Sequence, residues 1–517
     1  MTFFYNHNDT MHLQAKHTFH FLIPALIIIF ILIPVNSRLS KSQYHNITTL
    51  QHREITTSQH HDLNECTTGV ASGAATPDGR PLLWKNRDCF SENQEYHYVD
   101  NGNIPFIGLT YAGNIVRYYA GVNAAGFAIE NSIAHNLTPY WGGDEGLMMK
   151  LALEICRTVD DFQELLDTLF QANNDYNSNF GVIDAFGGAA IFEASSRRCT
   201  RYDADETEDG FLIRSNFAVS GNQNQIDDET GLHRFEQANN HWKNAVDNGR
   251  LTPQFIYQQV IRDLSQPDLV PVSIPFDGYY DDFSYGCLPN DLSICRSSTR
   301  SVFLVKGVED GERPDDTVIW AMVGSPLAGI ATPLWVRAGS VPEEYDGHLH
   351  SSICDRAAEI KDWIYVSCNW VDVVDTWRLF KWDRTGYWNF SLLLEDYVFD
   401  KTEQFLSSPN FSYDQMAEFQ NEVAQQVVDS LQAWHPTYET VETLEVIYED
   451  NNIVLIWDEE DNGQHRQVAP RGYTVYRSDY PFRESDRGQR LSFVEDNRFV
   501  DMDALKGGAF YRVEAMY

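Results

Sequence analysis

Cys66 is the residue of this 517-residue chain best suited to chemistry. It follows a polar stretch with the composition of a removable propeptide, and a cut before it would leave a thiol and a free α-amine on one residue. An α-amine, whose unperturbed pKa is near ~8, can act as general base for a thiol on the same residue. The sequence therefore predicts an enzyme that uses Cys66 as its nucleophile once the chain has been cleaved.

The segment after Cys66 predicts a β-hairpin. A small, β-prone run at 67–76 leads to a Pro-Asp-Gly turn at 77–79, in which Pro presets φ and Gly accepts a positive φ. An apolar strand at 81–84 then runs back along the first one. We expect this return strand to bring Lys85, Asn86 and Asp88 close to the thiol.

Several separated segments resemble the acyl-coenzyme A:6-aminopenicillanic acid acyltransferase-like group of cysteine N-terminal nucleophile (Ntn) hydrolases, which act on linear amides. Choloylglycine hydrolases, penicillin V acylases and acid ceramidase resemble the chain more distantly. The resemblance implies an α+β fold, a four-layer αββα sandwich. We also expect catalysis without a metal or organic cofactor, because the nucleophile, base and oxyanion donors all come from the chain and the sequence shows no ligand cluster with metal spacing. The segments that carry it are 66–68, 78–88, 121–132, 184–193, 214–217, 324–326 and 333–336.

The resemblance also implies roles for residues around Cys66. Asp88 would hold the α-amine of Cys66, although a turn-capping Asp is the alternative. Lys85 stands where relatives carry Arg; a cation there would favour the thiolate, but Lys lacks the bidentate fork of Arg, so Arg87 is the alternative cation. Asn131 matches a side-chain donor to the oxyanion, within a residue or two, and Asn216 matches the Asn that orients the nucleophile's terminus.

Two further residues are expected to bind substrate. Arg300, in the run 297–301, matches a site arginine of bile-salt hydrolases, with a surface strand charge as the alternative. Asn123 begins the Asn-x-x-Gly turn that precedes Asn131. For Asn131 and Asn216 the alternative is an Asx-turn or a buried strand cap.

The composition limits the possible partners. The chain has 75 Asp and Glu against 38 Lys and Arg, a formal net charge of −37. Such a surface repels phosphate backbones, so we do not expect nucleic-acid binding. The expected partner is a small-molecule amide, and the composition leaves the oligomeric state open.

The N-terminal residues suggest export. The apolar run 21–35 is short for a bilayer span and suits the core of a signal peptide, so residues 1–37 are interpreted as a signal peptide or, alternatively, a retained anchor. Only an uncleaved anchor would attach the protein to a membrane. The chain would then be secreted, periplasmic or on the cell surface. Its eight Cys allow disulfides, with Cys287–Cys295 and Cys354–Cys368 the nearest pairs, or buried free thiols.

The pattern divides the rest of the chain into three parts. Residues 38–65 are polar and are interpreted as a propeptide or linker. Residues 66–438 alternate strand-like and helix-like segments and form the predicted catalytic domain. Residues 441–517 show short alternating strands that resemble a fibronectin type III module. In the catalytic part we predict strands at 104–109, 115–120, 180–184 and 189–194 and helices at 146–158, 160–170 and 413–434.

Three functions fit the sequence. The first is an exported amidohydrolase or acyltransferase that cleaves a linear, non-peptide C–N amide through a Cys66 thioester, after maturation exposes Cys66. The second is a cysteine dipeptidase of the Ntn type, which the span 66–88 also resembles. The third is a secreted binding protein whose catalytic scaffold has degenerated; the presence of Cys66, Asp88, Asn131 and Asn216 argues against it.

Overall fold

A computed structural model describes the chain from Glu65 onward, with gaps. Contacts divide the chain between residues 55 and 56, and every described residue belongs to the second unit. The predicted signal peptide or anchor, and the predicted propeptide up to residue 64, lie outside the described residues. Those described are 65–138, 144–172, 174–195, 198–309, 311–347, 349–368, 371–381, 384–408, 412–436, 444–449, 452–457, 472–478, 489–494, 496–502 and 510–516.

The first sheet contains the hairpin that begins at Cys66. It has six strands, numbered here along the chain, and all of its paired strands are antiparallel. In order across the sheet they are β10 (Phe211–Arg214), β1 (Cys66–Ala71), β2 (Leu82–Asp88), β12 (Thr299–Lys306), β13 (Val318–Val323) and β14 (Thr332–Leu334).

The second sheet is a seven-stranded antiparallel meander in which each strand pairs with the next along the chain. The strands are β3 (Gln94–Val99), β4 (Phe106–Tyr111), β5 (Ala120–Asn123), β6 (Ala128–Ile133), β7 (Asn177–Ile183), β8 (Ala189–Ser195) and β9 (Arg198–Asp203).

The two sheets pack face to face, with β1 and β2 against β6 and β7. Buried side chains from both sheets, such as Val70, Leu83, Ile107 and Val122, form one apolar core between them. Every residue of β1 and β2 is buried, as expected for strands of a sheet that is packed on both faces.

Six helices of eight residues or more cover the outer faces of the sheets in the described part of the chain. Helices α1 and α2 contact the second sheet, and α3 to α6 contact the first. Shorter turns include Pro253–Phe255 and Thr376–Leu379. The six helices are α1 (Glu145–Ile155), α2 (Val159–Gln171), α3 (Leu232–Asp247), α4 (Ser352–Ile364), α5 (Tyr387–Leu406) and α6 (Met416–Ala433).

The order helices, sheet, sheet, helices is an α+β four-layer sandwich, which confirms the predicted fold class. Local sequence explains α2 well: Thr158 and Asp161 form a capping box, and its apolar residues recur at helical spacing. One strand was predicted wrongly. The run 115–120 is not a strand, because Asn114 Oδ1 accepts bonds from the backbone of Val116 and Arg117 and closes a turn there; β5 begins only at Ala120.

Three small sheets follow or flank this sandwich. The first pairs residues from the middle of the chain, while the other two share a core of Leu455, Trp457, Tyr473, Val475 and Val513. That shared core forms the predicted small β-sandwich, and its assignment to the fibronectin type III class stays a prediction. The sheets are β11 (Cys287–Leu288), β16 (Val371–Asp375) and β15 (Tyr365–Cys368); β17 (Leu444–Glu449), β18 (Asn452–Trp457) and β21 (Arg498–Asp501); and β20 (Gln489–Val494), β19 (Gly472–Ser478) and β22 (Phe510–Met516).

Within the described residues, no helix combines the length and the apolar character needed to cross a bilayer.

Candidate active site

The β1–β2 hairpin brings the predicted residues together as its register requires. Cys66 stands opposite Arg87, and Thr68 stands opposite Lys85. Paired residues of antiparallel strands share a face, so these four side chains point into the space between the sheets. Cys66 is only 3% exposed, which means that the uncleaved chain covers its own thiol.

The nitrogen of Cys66 is held by a residue from another part of the chain. Asn216 Oδ1 accepts a hydrogen bond from Cys66 N at 3.0 Å, and Asn216 Nδ2 donates to Ile133 O at 3.0 Å. Arg234, on α3, donates to Asn216 Oδ1 at 2.9 Å and to Cys66 O at 2.9 Å. The amide of Asn216 is therefore fixed with its oxygen toward the nitrogen that cleavage would convert into the α-amine.

Asp88 lies at the end of β2, and its two carboxylate oxygens differ in their hydrogen bonding. Its Oδ1 accepts a 2.6 Å hydrogen bond from Thr299, and its backbone N donates to Glu65 O at 2.8 Å. Its Oδ2 accepts no hydrogen bond from the described residues, although it lies 3.6 Å from Arg296 and 4.0 Å from Arg234. Burial raises the pKa of Asp88 from 3.8 to about 6, against the lowering effect of Arg234.

Lys85 connects the nucleophile to Asn131. Its Nζ donates to Asn131 Oδ1 at 2.8 Å and to Tyr119 O at 3.0 Å. Burial lowers the pKa of Lys85, while the Cys66 thiol acts in the opposite direction. Burial likewise raises the pKa of the Cys66 thiol, and Lys85 is the strongest of the charges that lower it. Because its oxygen accepts the bond from Lys85, the Asn131 amide is oriented with Nδ2 as its donor.

Glu130 is a second buried carboxyl beside Lys85, and the sequence analysis did not single it out. It is fully buried, and the backbone N–H of Gly181 and the Thr68 hydroxyl lie beside its carboxyl group. Burial raises its pKa from 4.5 to about 8, despite the charge of Lys85. The buried Thr68 hydroxyl also acts to lower this pKa.

Arg300 lies at a break in the sheet register. Thr299 pairs with Asp88 and Ser301 with Arg87, so Arg300 is the extra residue of a bulge in β12. Its guanidinium pairs with Glu92 at 3.1 Å, and its charge helps to lower the pKa of Asp88. The bulge is thus what directs Arg300 toward the end of β2.

Arg87, the alternative cation, lies between two aromatic rings. Its guanidinium carbon is 4.4 Å from the ring centre of Tyr111 and 4.3 Å from that of Tyr119. It also donates to Cys89 Sγ at 2.7 Å and to Gln94 Oε1 at 2.6 Å. These contacts fix Arg87 as a rigid cation on the Cys66 face.

Asn123 is not brought to this group. Its Nδ2 donates to Leu153 O and Cys156 O, and its Oδ1 accepts from the backbone of Ala125 and Phe127. All the bonding capacity of this amide is used to close the β5–β6 turn onto α1. We therefore leave Asn123 out of the proposed catalytic group.

The described part of the chain contains one group that could hold a metal ion, formed by Glu95, His97 and Asp346. Each oxygen of Glu95 already accepts a backbone N–H, from Leu349 at 2.9 Å and from Gly113 at 2.7 Å. All eight cysteines of the chain are described, and all but Cys199 are buried. Cys295 and Cys354 are free thiols, so neither predicted pair, Cys287–Cys295 or Cys354–Cys368, forms a disulfide.

A cavity of about 700 Å³ lies near the turn of the hairpin, away from the thiol. Trp320, Phe399, Tyr413 and Met416 line it together with Arg80, and no residue of the Cys66 group does. In the uncleaved chain Glu65, the residue before Cys66, is itself buried.

Sequence reasoning missed four residues of this site: Glu65, Glu130, Arg234 and Arg296. Glu130 did carry a signal, because a carboxylate that follows the apolar run 127–129 directly and precedes Asn131 is unusual within a buried strand. The two arginines carried none, since they come from a helix and a loop whose position depends on tertiary packing.

Comparison with known proteins gives one family match. Residues 74–277 match the family model described as acyl-coenzyme A:6-aminopenicillanic acid acyl-transferase. The match starts after Cys66 and includes Lys85, Asp88, Asn131 and Asn216. It confirms the predicted resemblance over those residues and supports an Ntn-type enzyme that acts on amides. No curated protein matches the chain.

Three solved structures are similar over about half of the chain. A mutant of conjugated bile acid hydrolase from Clostridium perfringens is 11% identical, with 52% of this chain and 92% of that chain covered and a TM-score of 0.34. The Caenorhabditis elegans ortholog of N-acylethanolamine-hydrolyzing acid amidase is 16% identical, with 46% and 92% covered and a TM-score of 0.29. Penicillin V acylase from Agrobacterium tumefaciens is 13% identical, with 52% and 86% covered and a TM-score of 0.33. At these values the similarities add nothing to the family match.

Proposed function

We propose that this chain is an exported Ntn amidohydrolase or acyltransferase that cleaves a linear, non-peptide C–N amide through a Cys66 thioester. The observation that carries the proposal is the bond from Cys66 N to Asn216 Oδ1, beside an Asp88 oxygen that accepts no hydrogen bond from the described residues. A nitrogen held in this way is prepared to become a positioned α-amine when the Glu65–Cys66 bond is cut. Asp88 Oδ2 could then accept a hydrogen bond from that amine.

Maturation would use the same thiol as catalysis. Cys66 Sγ attacks the carbonyl carbon of Glu65, the C–N bond breaks, and the nitrogen takes the thiol proton to become the free α-amine. Water then hydrolyses the thioester and releases the Glu65 carboxylate. The 2.8 Å bond from Asp88 N to Glu65 O polarises the carbonyl that is attacked.

Turnover would repeat these steps on the substrate. The α-amine takes the thiol proton, Sγ attacks the amide carbon, and the tetrahedral oxyanion receives a hydrogen bond from Asn131 Nδ2, which Lys85 orients. The leaving amine accepts the proton from the α-ammonium as the C–N bond breaks. Water or an acceptor amine then resolves the thioester, which decides between hydrolysis and acyl transfer.

The experiment combines intact mass, N-terminal sequencing and an amide panel. Active protein is expected to begin at Cys66 and to lose activity when iodoacetamide alkylates that residue. Cys66→Ala should stay unprocessed and inactive, while Cys199→Ala, a half-buried thiol on β9, should mature and act normally. Active protein with Cys66 internal, or an active Cys66→Ala variant, would overturn the proposal. Dipeptides in the same panel test the dipeptidase alternative.

Export is the remaining part of the proposal. It rests on the apolar run at 21–35, whose length suits a signal-peptide core. Fractionation of expressing cells should recover the mature chain outside the cytoplasm. Recovery of all active protein in the cytoplasm would show that this part is wrong.

A further inference from the structure

Glu65, the residue just before the proposed cleavage point, is held by both its carbonyl and its carboxylate. Its carbonyl accepts the bond from Asp88 N. Its side chain is 10% exposed, and its Oε2 lies 3.3 Å from Arg234 and forms an ion pair with Arg296. A glutamate is thus seated against two arginines at the position from which it would be released.

The two arginines differ in what holds them once Glu65 has left. Arg234 keeps its bonds to Cys66 O, Thr67 and Asn216. Arg296 keeps a more distant neighbour, Asp88 Oδ2 at 3.6 Å, and its Nε is buried without a hydrogen-bond partner among the described residues. Loss of Glu65 therefore leaves a largely buried guanidinium short of an anion, which is energetically unfavourable.

The chemistry of maturation connects this pair to the substrate. In the proposed maturation Sγ carries the acyl group of Glu65, and in turnover it carries the acyl group of the substrate, so both extend from the same sulfur. In Glu65 the Cα, Cβ and Cγ atoms separate the acyl carbon from the carboxylate. A glutaryl group has the same spacing.

We propose that Arg296, supported by Arg234, forms a carboxylate subsite in the mature enzyme and selects amides whose acyl group ends in a carboxylate at glutaryl spacing. This inference rests on the proposed function, because the subsite opens only when Glu65 is released. Arginine suits the task, since its guanidinium can bind a carboxylate through two parallel hydrogen bonds.

The test compares two matched substrates on mature protein, glutaryl-p-nitroanilide and pentanoyl-p-nitroanilide, which differ by the terminal carboxylate. Wild type is expected to prefer the glutaryl amide by at least tenfold in kcat/KM. Arg296→Gln should bring the ratio of the two values close to one. Arg313→Gln, which changes an exposed arginine, should leave the ratio as in wild type. Rates are normalised to the processed fraction measured by mass, because Arg296→Gln also removes a partner of Glu65.

Two results would overturn the subsite. One is a wild-type ratio near one. The other is an Arg296→Gln variant that loses activity toward both amides equally, since an arginine that acted only through Asp88 would behave in that way.

A binding measurement separates this inference from the proposed function. Glutarate, but not pentanoate, should slow the alkylation of Cys66 by iodoacetamide in mature wild type, and Arg296→Lys should retain part of the protection. Protein that hydrolyses the pentanoyl amide but gains no protection from glutarate contradicts the subsite alone. Protein that begins at Cys66 and is protected by glutarate, yet hydrolyses no amide, contradicts the proposed function alone.

Discussion

Asp88 is the residue whose surroundings change most in the proposed maturation. Before cleavage, the neighbours of Oδ2 among the described residues are two arginines at 3.6 and 4.0 Å, and burial raises the pKa of this carboxyl to about 6. If the new α-amine bonds to Oδ2, the same carboxylate turns from a poorly compensated charge into the group that orients the catalytic base. An uncleaved chain would then be less active, and its Asp88 carboxylate would lack the hydrogen bond from the α-amine.

The first prediction concerns Asp88→Asn. We expect kcat/KM to fall by roughly 100-fold or more, the order that a positioned acid–base group contributes. The ionised form is needed; its pKa is about 6 in the uncleaved chain, and a protonated α-amine beside it would lower that pKa, so wild-type activity should decline only below pH 6. The variant's residual activity should lack that decline.

Stability separates this role from a structural one. The folded pKa of Asp88 is raised, so ionisation costs stability as the pH rises through about 6, and Asn avoids that cost. In the unprocessed Cys66→Ala background, the melting temperature of Asp88→Asn at pH 7 should therefore equal or exceed that of Cys66→Ala alone. A large drop in melting temperature would show that Asp88 mainly holds the fold.

The second prediction concerns Glu130, whose pKa burial raises from 4.5 to about 8. The fold favours the protonated form, so the stability contributed by Glu130 is fully present below pH 4.5 and is lost as the pH rises through about 8. Glu130→Gln keeps the shape but cannot ionise. Its melting temperature, relative to wild type, should rise between pH 5 and pH 9.

Lys85 provides the comparison for this experiment, because it is the charge that most lowers the pKa of Glu130. Between pH 5 and pH 9, the Lys85→Met variant should therefore lose more stability than wild type does. A wild type and a Glu130→Gln variant whose melting temperatures change in parallel over this pH range would contradict a buried, titrating Glu130.

At the scale of elements, a glycine on β7 makes room for this carboxyl. Gly181 stands opposite Glu130 in the register of β6 and β7. A Cβ at position 181 would overlap Glu130 Oε1 and come within 3.0 Å of both Leu83 and Val70. The close packing of the two sheets therefore depends on the absence of a side chain at this position.

The third prediction follows from this contact. Gly181→Ala should lower stability by about 1–3 kcal/mol, the usual cost of overpacking a core. Glu130→Ala should relieve part of that cost, so the two changes should be non-additive in a double-mutant cycle. Gly278→Ala, whose Cβ would come no closer than 3.3 Å to the Phe276 ring, is the control. Additive costs would mean that Glu130 does not cause the clash.

The sequence predicted the elements that depend on turn residues, helix caps and short apolar patterns. The hairpin turn at 77–79, the capped helix α2 and the β7–β8 hairpin all follow from patterns within a few residues. Helix α5 was not predicted, and the strand expected at 115–120 was displaced by the turn at Asn114. An apolar run alone does not reveal a side chain that takes the backbone bonds a strand would need.

The site likewise contains some residues that could be placed from the sequence and others that could not. Cys66, Lys85 and Asp88 could be placed from one hairpin, because strand register fixes which residues face each other. Arg234 and Arg296 could not, since each reaches Asp88 only through the packing of α3 and of the loop before β12. The pKa values of Asp88 and Glu130 also depend on burial, which the sequence does not specify at single-residue resolution.

At the scale of the whole molecule, the C-terminal strands contact the catalytic part through one aromatic residue in particular. Tyr476, on β19, shares a buried cluster with Cys287, Val366 and Val373. Its hydroxyl accepts a 2.9 Å hydrogen bond from Arg378, whose guanidinium also lies 5.3 Å from the Tyr476 ring centre. Among the described residues, none of the last six strands contributes a group to the Cys66 site.

The fourth prediction is that a chain ending at Pro436 still matures at Cys66 and hydrolyses amides within a few fold of the full-length rate. It should melt at a lower temperature and be less soluble, because it exposes the Tyr476-binding cluster to water. Tyr476→Phe in the full chain should cost about 1.5–3 kcal/mol, as expected for a hydrogen bond to a charged group, without changing kcat. If the shortened chain stays folded by circular dichroism but cannot process Glu65–Cys66, the C-terminal strands must help to shape the catalytic core, and the boundary predicted near residue 438 would be wrong.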